Sequence, residues 1–397
     1  MKRVQGIGLI GAVALAGLQA GCEPAVTREQ LAPVVQRDAV PFDLPVIPEE
    51  ILDRLAPYRL VVVGETHLLE EHRTFVAALV RELHARGFRQ LLVEWPSYAN
   101  WVLEDFIMGS PLEPGWQPGL GLGLRLFEAV RDFNATLAEA ERVQVHGIDM
   151  NLTEYGGPAD FRNSLAGLVT HLPSAGPVAE FLQGDYGSPE TQTPLLETLR
   201  AALERDAAPL RVSWGEHWYA TVVEMVDVEI ASVDIRARRE SDYDRSVRMR
   251  EDVIKDLADT RIAKTPHGTI INIGSTHAQK SRLFGTDIEW LGEYLVRRSA
   301  VVDGSAFVIG VSAAYIQPAP GSTQSPYDVR NASPPNELHR VMVESFPNRT
   351  AFLPLDDPLF ATGRVLLNVE EIIYSCAPAE QFDAILQFAL AHREPLP

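Results

Sequence analysis

From about Pro48 onward, short apolar runs rich in β-branched residues alternate with stretches of helical period, and this alternation constrains the fold more than any other feature. Such a pattern predicts an α/β domain with a mostly parallel central sheet flanked by helices. The first strand is predicted at residues 59–63, followed by a helix over residues 69–86 that Gly87 closes. Further strands are predicted at residues 90–93, 143–148, 269–273, 307–311 and 382–386.

Residues 49–397 are predicted to form one domain, because no sharp shift in composition divides them. Between about residues 154 and 264 the chain has no strand-like run, and its period is strongly helical. We expect this region to be a large helical insertion or cap. Residues 23–48 contain several prolines and no sustained period, which predicts an extended tether in front of the domain.

Residues 1–22 have the composition of an export signal. Lys2 and Arg3 precede an apolar run of about 15 residues, which is short for a membrane span. Small residues then precede Cys22, and this segment resembles a bacterial lipobox, in which the chain is cleaved before a lipidated cysteine. We therefore expect a lipoprotein-type signal peptide and a location in the cell envelope. The mature protein would be anchored to a membrane by lipid on Cys22 or, without the lipid, periplasmic or secreted.

The charge balance and the cysteine content exclude several classes of function. Lys and Arg number 35 against 54 Asp and Glu, a formal net charge of −19. So acidic a chain repels phosphate backbones, and nucleic acid is not an expected partner. Two cysteines are too few for a disulfide scaffold or a cysteine-cluster metal site. The sequence also lacks a Gly-x-Ser-x-Gly elbow, a His-Glu-x-x-His motif, a P-loop and a dinucleotide-binding fingerprint.

Each of four predicted strands is followed by ionisable residues that a buried core does not need. The first runs into Glu65 and His67, the second into Glu94, the third into Asp149, and the strand at 269–273 into His277. Ligands of open α/β sheets bind at the carboxyl ends of the strands, so these five side chains are expected to converge on one crevice. Burying three carboxylates and two imidazoles together is costly unless they pair with each other, with a ligand or with a metal ion.

Each of these residues also has a structural interpretation when it is taken alone. A histidine after a strand is often a hydrogen-bonded loop residue, the two glutamates can pair with Arg73, and Asp149 can cap the following turn. His72 and His84, on the helix after the first strand, are interpreted as solvated or structural. The amino end of that helix disfavours an imidazolium, which favours a neutral His67 able to act as a base. Taken together, the five strand-end residues favour a functional site.

Several segments resemble the erythromycin esterase family. Its opening is similar to the segment Gly64-Glu65-Thr66-His67 with the residues that follow it, namely Glu70, Arg73, Gly87, Phe88 and Glu94. Residues 126–134, 145–150, 244–252 and 381–384 resemble later segments of the same family, among them an Arg-rich helix that carries Arg248 and Arg250. The chain departs from the family where the esterases have His-Asn-x-His and this chain has Gly-Ser-Thr-His, ending at His277.

The resemblance implies an erythromycin esterase-like hydrolase that uses activated water on a small-molecule ester or lactone. The catalytic residues it implies are His67, Glu65, Glu94, His277, Arg73 and Asp149. His67 would be the general base, oriented by Glu65 or Glu94. His277 and Arg73 would stabilise the oxyanion or donate a proton to the leaving group, and the aspartate would hold one of the two in place. In this version the enzyme needs no cofactor.

Paired Gly-x-x-His motifs also resemble the wider superfamily of the Tiki/TraB proteins, proposed metal-dependent proteases, and the ChaN-like haem-binding lipoproteins. A metal version of the site would hold Mn²⁺, Co²⁺ or Zn²⁺ on His67 and His277 with one or two of the carboxylates, Glu65 and Glu94 first. A binding version would hold haem through one of the two histidines. The aromatic residues expected to line its slot are Tyr98, Trp101, Phe106, Trp116 and Trp218.

Overall fold

A central sheet of eight strands organises the computed structural model, which describes residues 25–112, 123–150, 158–282, 286–369 and 372–394. In chain order, the strands of the described residues are β1 (Val40–Phe42), β2 (Leu60–Glu65), β3 (Phe88–Pro96), β4 (Gln144–Asp149), β5 (Gly268–Gly274), β6 (Ala306–Ala313), β7 (Tyr315–Gln317), β8 (Tyr327–Asp328), β9 (Thr350–Pro354), β10 (Val365–Val369), β11 (Ile372–Cys376), β12 (Ala384–Phe388) and β13 (Ala391–His392). β10 pairs with β11, and β7, β8 and β13 form a third small sheet.

The α-helices of the described residues are α1 (Arg28–Asp38), α2 (Glu49–Leu55), α3 (Glu70–His84), α4 (Asn100–Ile107), α5 (Leu124–Asn134), α6 (Pro158–Val169), α7 (Pro177–Gln183), α8 (Pro189–Arg205), α9 (Ala207–Trp214), α10 (Glu216–Arg238), α11 (Tyr243–Ala263), α12 (Ser275–Ala278), α13 (Leu291–Arg297), α14 (Glu337–Ser345), α15 (Pro358–Thr362) and α16 (Pro378–Gln381). Single 3₁₀ turns occur at Ser97–Ala99, Glu139–Glu141 and Val329–Asn331.

The strand order of the central sheet is β1-β9-β12-β6-β2-β5-β3-β4. The six strands from β12 to β4 are parallel to one another. At the other edge β9 pairs antiparallel with β12, and β1 pairs antiparallel with β9. This arrangement confirms the predicted α/β class with a mostly parallel sheet. It also places β2, β5, β3 and β4 side by side, so that the residues following these four strands share one edge of the sheet.

Alternate residues of β2 enter two different hydrophobic layers. Leu60 and Val62 are fully buried on the face that α1, α11, α13 and α14 cover. Val61 and Val63 are fully buried on the other face, under α2, α3, α4 and α5. A strand buried on both faces is a continuous apolar run, which is why this strand could be predicted from the sequence. Each fully buried aliphatic side chain contributes about 1.5–3 kcal/mol, so the two layers together stabilise β2.

The region expected to be a helical insertion contains α6–α11, and its described residues form no strand. α6–α10 surround a third hydrophobic cluster in which Phe161, Leu196 and Val222 are fully buried. Tyr98, in the 3₁₀ turn before α4, and Trp101 of α4 join this cluster and connect it to the sheet. α11 instead packs on the sheet through Ile254 and neighbouring residues and carries side chains into the candidate site.

The expectation of an extended tether at residues 23–48 is wrong for the part that the structure describes. Leu31 and Val35 of α1 are fully buried against the sheet, and Val40 of β1 pairs with Phe352 of β9. The segment is therefore part of the domain, even though Pro33 lies inside its helix.

The expected export signal and Cys22 lie outside the described residues. Across the ranges that the structure describes, no helix combines the length and the apolar character needed to cross a membrane.

Candidate active site

Glu65 and His67 lie at the carboxyl end of β2, between β5 and β6. The Nδ1 of His67 lies 3.5 Å from a carboxylate oxygen of Glu65. The His67 side chain is 44% exposed, whereas that of Glu65 is only 10% exposed. Water can therefore reach the imidazole, while the carboxylate behind it is shielded from solvent.

A buried chain of hydrogen bonds fixes the second oxygen of Glu65. The Nδ2 of Asn272, on the neighbouring strand β5, donates to this oxygen at 2.8 Å. The Oδ1 of Asn272 in turn accepts from the Nε2 of His72 at 2.6 Å. Burial lowers the pKa of His72, which favours the neutral imidazole with its proton on Nε2. His72 therefore orients the amide of Asn272, and the amide orients Glu65.

Glu65 remains ionised in spite of its burial. Burial by itself raises the pKa of a carboxyl group, but the hydrogen bond with His67 and the electrostatic interactions with His67, His72 and Arg73 outweigh this effect. The pKa of Glu65 consequently lies well below its ordinary value. Arg73 is buried behind the carboxylate, with its Nη2 4.0 Å from Glu65, and its Nε donates to Glu394 at 2.6 Å.

His277 lies in α12, directly after β5, and two carboxylates flank its imidazole ring. Its Nδ1 is hydrogen-bonded to the fully buried Glu251 of α11. Its Nε2 lies 3.6 Å from Glu94. Burial and the charge of Arg250 lower the pKa of His277, but Glu251 and Glu94 outweigh them and raise it to about 9. The side chain is therefore an imidazolium at neutral pH.

Arg250, also on α11, neutralises two carboxylates at the ends of β3 and β4. It donates to Glu94 at 2.6 Å and to both oxygens of Asp149 at 2.9 and 2.7 Å. The second oxygen of Glu94 accepts the backbone N–H of Gly274 at 2.7 Å. Burial raises the pKa of Glu94, but His277, Arg250, His67 and this N–H together lower it to about 2.

The structure brings all six residues expected from the sequence to one edge of the sheet. The contacts that these residues make differ from the expected ones. Glu65, and not Glu94, contacts His67. Asp149 was expected to hold His277 or Arg73, whereas it binds Arg250. Arg73 was expected near a reacting oxyanion, whereas its side chain is only 7% exposed and is bound by Glu394.

Five residues that contact this group were missing from the sequence-based site: His72, Arg250, Glu251, Asn272 and Glu394. A signal existed for Asn272, which interrupts the apolar run of β5. Glu251 shares a helical face with Ile254 and Ala258, so its burial could also be read from the spacing.

The donor atoms of the site do not fit the divalent metal of the alternative hypothesis. In the ranges the structure describes, no group of three or more His, Cys, Asp or Glu side chains is arranged to hold a metal ion. Arg250 engages Glu94 and Asp149, and Glu251 engages the Nδ1 of His277. These side chains are engaged in ion pairs with protein groups, so the residues present do not fit a divalent metal ion.

The aromatic residues expected to line a haem slot pack in separate places. Tyr98 and Trp101 are buried in the helical cap with Trp218 against them, whereas Phe106 is buried between the sheet and its helices. Trp116 lies outside the described residues. The described aromatic side chains are thus used in protein packing, and they do not fit a haem slot.

No protein-family profile matches the sequence, and no curated protein matches it. Solved structures do resemble the fold. A Bacillus cereus protein shares 15% identity at a TM-score of 0.68, over 94% of this chain and 100% of its own. A succinoglycan biosynthesis protein shares 16% identity at a TM-score of 0.68, over 93% of this chain and 99% of its own.

The erythromycin esterase EreC, as a mutant in its open conformation, shares 16% identity at a TM-score of 0.62, over 87% of this chain and 94% of its own. At this identity the likeness shows a common fold and does not show a common family or activity. A haem-bound ChaN of Campylobacter jejuni gives a TM-score of 0.29, which is too low to bear on either question. The chain therefore shares the fold of an esterase.

Proposed function

We propose that this protein is a hydrolase that cleaves a small-molecule ester or lactone with activated water. The observation that carries the proposal is the pair formed by Glu65 and His67, in which a buried carboxylate lies 3.5 Å behind a solvent-exposed imidazole at the carboxyl edge of the sheet. A general base needs access to water and a partner that stabilises the positive charge it acquires. The pair has both. The shared fold of EreC, which is an erythromycin esterase, adds support.

In the proposed mechanism His67 takes a proton from water as the oxygen attacks the ester carbonyl. Glu65 stabilises the imidazolium that forms, because its own low pKa keeps it ionised. His277, held as an imidazolium by Glu251, supplies the positive charge that stabilises the tetrahedral oxyanion or donates a proton to the departing alcohol. One histidine thus acts as a base and the other as an acid, a division that their different surroundings create.

Hydrolysis of a panel of aryl esters and macrolactones, with and without chelator, tests the proposal. We expect turnover that chelator does not affect and that His67→Ala lowers about 10²- to 10⁴-fold, the usual contribution of a general base. His84→Ala is the matched control, since His84 lies at the far end of α3, where its Nε2 contacts the backbone carbonyl of Glu141. Full turnover in His67→Ala, or stoichiometric metal with chelator-sensitive cleavage, would contradict the mechanism.

We also propose that the protein works in the cell envelope, anchored through a lipid on Cys22. The support is the signal-like composition of residues 1–22, which the structure does not describe. Mass spectrometry of the mature amino terminus tests this proposal. A chain that begins at an acylated Cys22 is expected, and a chain that retains residues 1–22 would contradict it.

A further inference from the structure

Residues 391–394, which we call the strap, reach the candidate site from the far end of the described chain. The strap begins as β13 and pairs with β7, and the backbone N–H of Arg393 donates to the carbonyl of Gln317 at 2.9 Å. The backbone N–H and the Nδ1 of His392 contact the carboxylate of Glu71 at 2.7 and 2.6 Å. The strap is therefore anchored both to the small sheet and to the first turn of α3.

The strap is also bonded to the backbone of the loop that follows His67. The N–H of Glu394 donates to the carbonyl of Leu68 at 2.8 Å. Leu69 and Arg393 form an antiparallel bridge at the same place. The loop that carries the proposed base is thus tied to a segment remote from it in sequence.

Leu68 adopts a backbone conformation that a leucine rarely takes. Its φ is +65°, in the left-handed region that glycine favours. Such a conformation persists only where the surrounding structure enforces it. The bond from the strap to the carbonyl of Leu68 is a direct constraint on this residue, which is the next one after His67.

The carboxylate of Glu394 performs a second task. It accepts from the Nε of Arg73 at 2.6 Å, and the two side chains are only 9% and 7% exposed. Arg73 also lies 4.0 Å from Glu65. Without Glu394, a buried arginine would turn fully to Glu65, because an uncompensated buried charge is costly. Arg73 would then compete with His67 for the same carboxylate oxygen.

We propose that Glu394 is a positioning residue of the candidate active site. It keeps Arg73 turned away from Glu65, and the strap holds the His67 loop in its strained conformation. The inference rests on the proposed function for its effect on turnover, while its effect on the loop is independent of any substrate.

The experiment compares the full chain with its Glu394→Gln and Glu394→Asp variants, using hydrogen–deuterium exchange of the backbone amides of residues 66–69 and steady-state hydrolysis of an aryl ester. Glu394→Gln is expected to speed the exchange about tenfold and to lower kcat about tenfold at nearly constant KM. Glu394→Asp keeps the carboxylate and should restore part of both losses. Glu344→Gln, which breaks the exposed ion pair with Arg28, is the matched control and should change neither readout.

Unchanged exchange in a folded Glu394→Gln variant would overturn the proposal, whatever its turnover. Faster exchange with unchanged kcat would overturn the positioning role. If the unmodified chain hydrolyses no ester, the proposed function fails, but faster exchange in Glu394→Gln would still support the strap. The two ideas can therefore fail separately.

Discussion

Glu251 binds the Nδ1 of His277 with one carboxylate oxygen and the backbone N–H of Leu291 with the other, at 2.9 Å for the latter bond. The carboxylate is fully buried and both of its oxygens are engaged, so it has no freedom to leave the imidazole. Glu94 and Arg250 are the other charged groups that face His277. This geometry makes Glu251 the main reason why one of the two site histidines is cationic.

Replacing Glu251 with Gln should lower the pH above which the enzyme loses activity. The variant removes the largest influence that raises the pKa of His277, while burial and Arg250 continue to lower it. The imidazolium is then lost well below the wild-type pKa of about 9. The dependence of kcat/KM on pH measures the effect. Glu344→Gln, which breaks an exposed ion pair with Arg28, is the control, and an unshifted alkaline limb in Glu251→Gln would contradict the assignment.

The protonation of His277 should also make stability depend on pH. A group whose pKa rises on folding stabilises the native state fully below its ordinary pKa of 6.5, and this stabilisation is lost as the pH approaches about 9. The free energy of unfolding should therefore fall between pH 6.5 and pH 9. Urea unfolding of the wild type and of His277→Gln tests this. The stability difference between them should shrink across that interval, and a constant difference would rule out the linkage.

Asn272→Leu should destabilise the protein and slow hydrolysis together. The substitution removes the N–H donor of Glu65 and the acceptor of His72, leaving two buried polar groups without their partner. Each unsatisfied group costs about 1–3 kcal/mol, so the free energy of unfolding should fall by about 2–6 kcal/mol. Urea unfolding and ester hydrolysis measure the two effects. Asn348→Leu, at an exposed turn, is the control, and an Asn272→Leu variant of wild-type stability and rate would refute the hydrogen-bond chain.

Arg250→Met should destabilise the protein at neutral pH and much less in acid. Loss of the guanidinium leaves Glu94 and Asp149 buried without their shared countercharge, at a cost of about 3–5 kcal/mol. In acid the carboxyl group of Glu94, whose pKa Arg250 no longer helps to lower, can take up a proton, so the cost falls. Urea unfolding at pH 7 and pH 4 gives the comparison. Arg248→Met, which breaks an exposed pair with Asp287, should have little effect at either pH.

The central strands could be predicted because burial on both faces makes them continuous apolar runs. Prediction was poorer at the other edge of the sheet, where β1 and β9 are short, antiparallel and contain Pro41 and Pro354. A proline lacks a backbone N–H donor, so in a sequence it indicates a loop. Pairing with a neighbouring strand makes the segment a strand in spite of the proline. For the same reason α1 was not predicted, because Pro33 lies inside this helix. Its buried residues are Leu31, Val34 and Val35.

The part of the site that lies at the carboxyl ends of the strands could be predicted from the sequence. Glu65 and Asp149 are the last residues of β2 and β4, and Glu94 lies near the end of β3. A general rule of open sheets brings such positions of parallel strands together. The partners of these residues come from elements whose packing the rule does not specify. Arg250 and Glu251 depend on how α11 lies across the sheet, and sequence spacing gives no distance between a helix and a strand edge.

The bond between Arg73 and Glu394 joins residues 321 positions apart, and this separation dictates when the site is completed during synthesis. A growing chain that has passed His277 already contains both histidines of the site. It still lacks β12, an inner strand of the sheet, and the backbone contact that holds Leu68. Under the proposed mechanism a chain that stops before residue 394 therefore lacks both the bond that positions Arg73 and the backbone contact to Leu68, and its active site is incomplete.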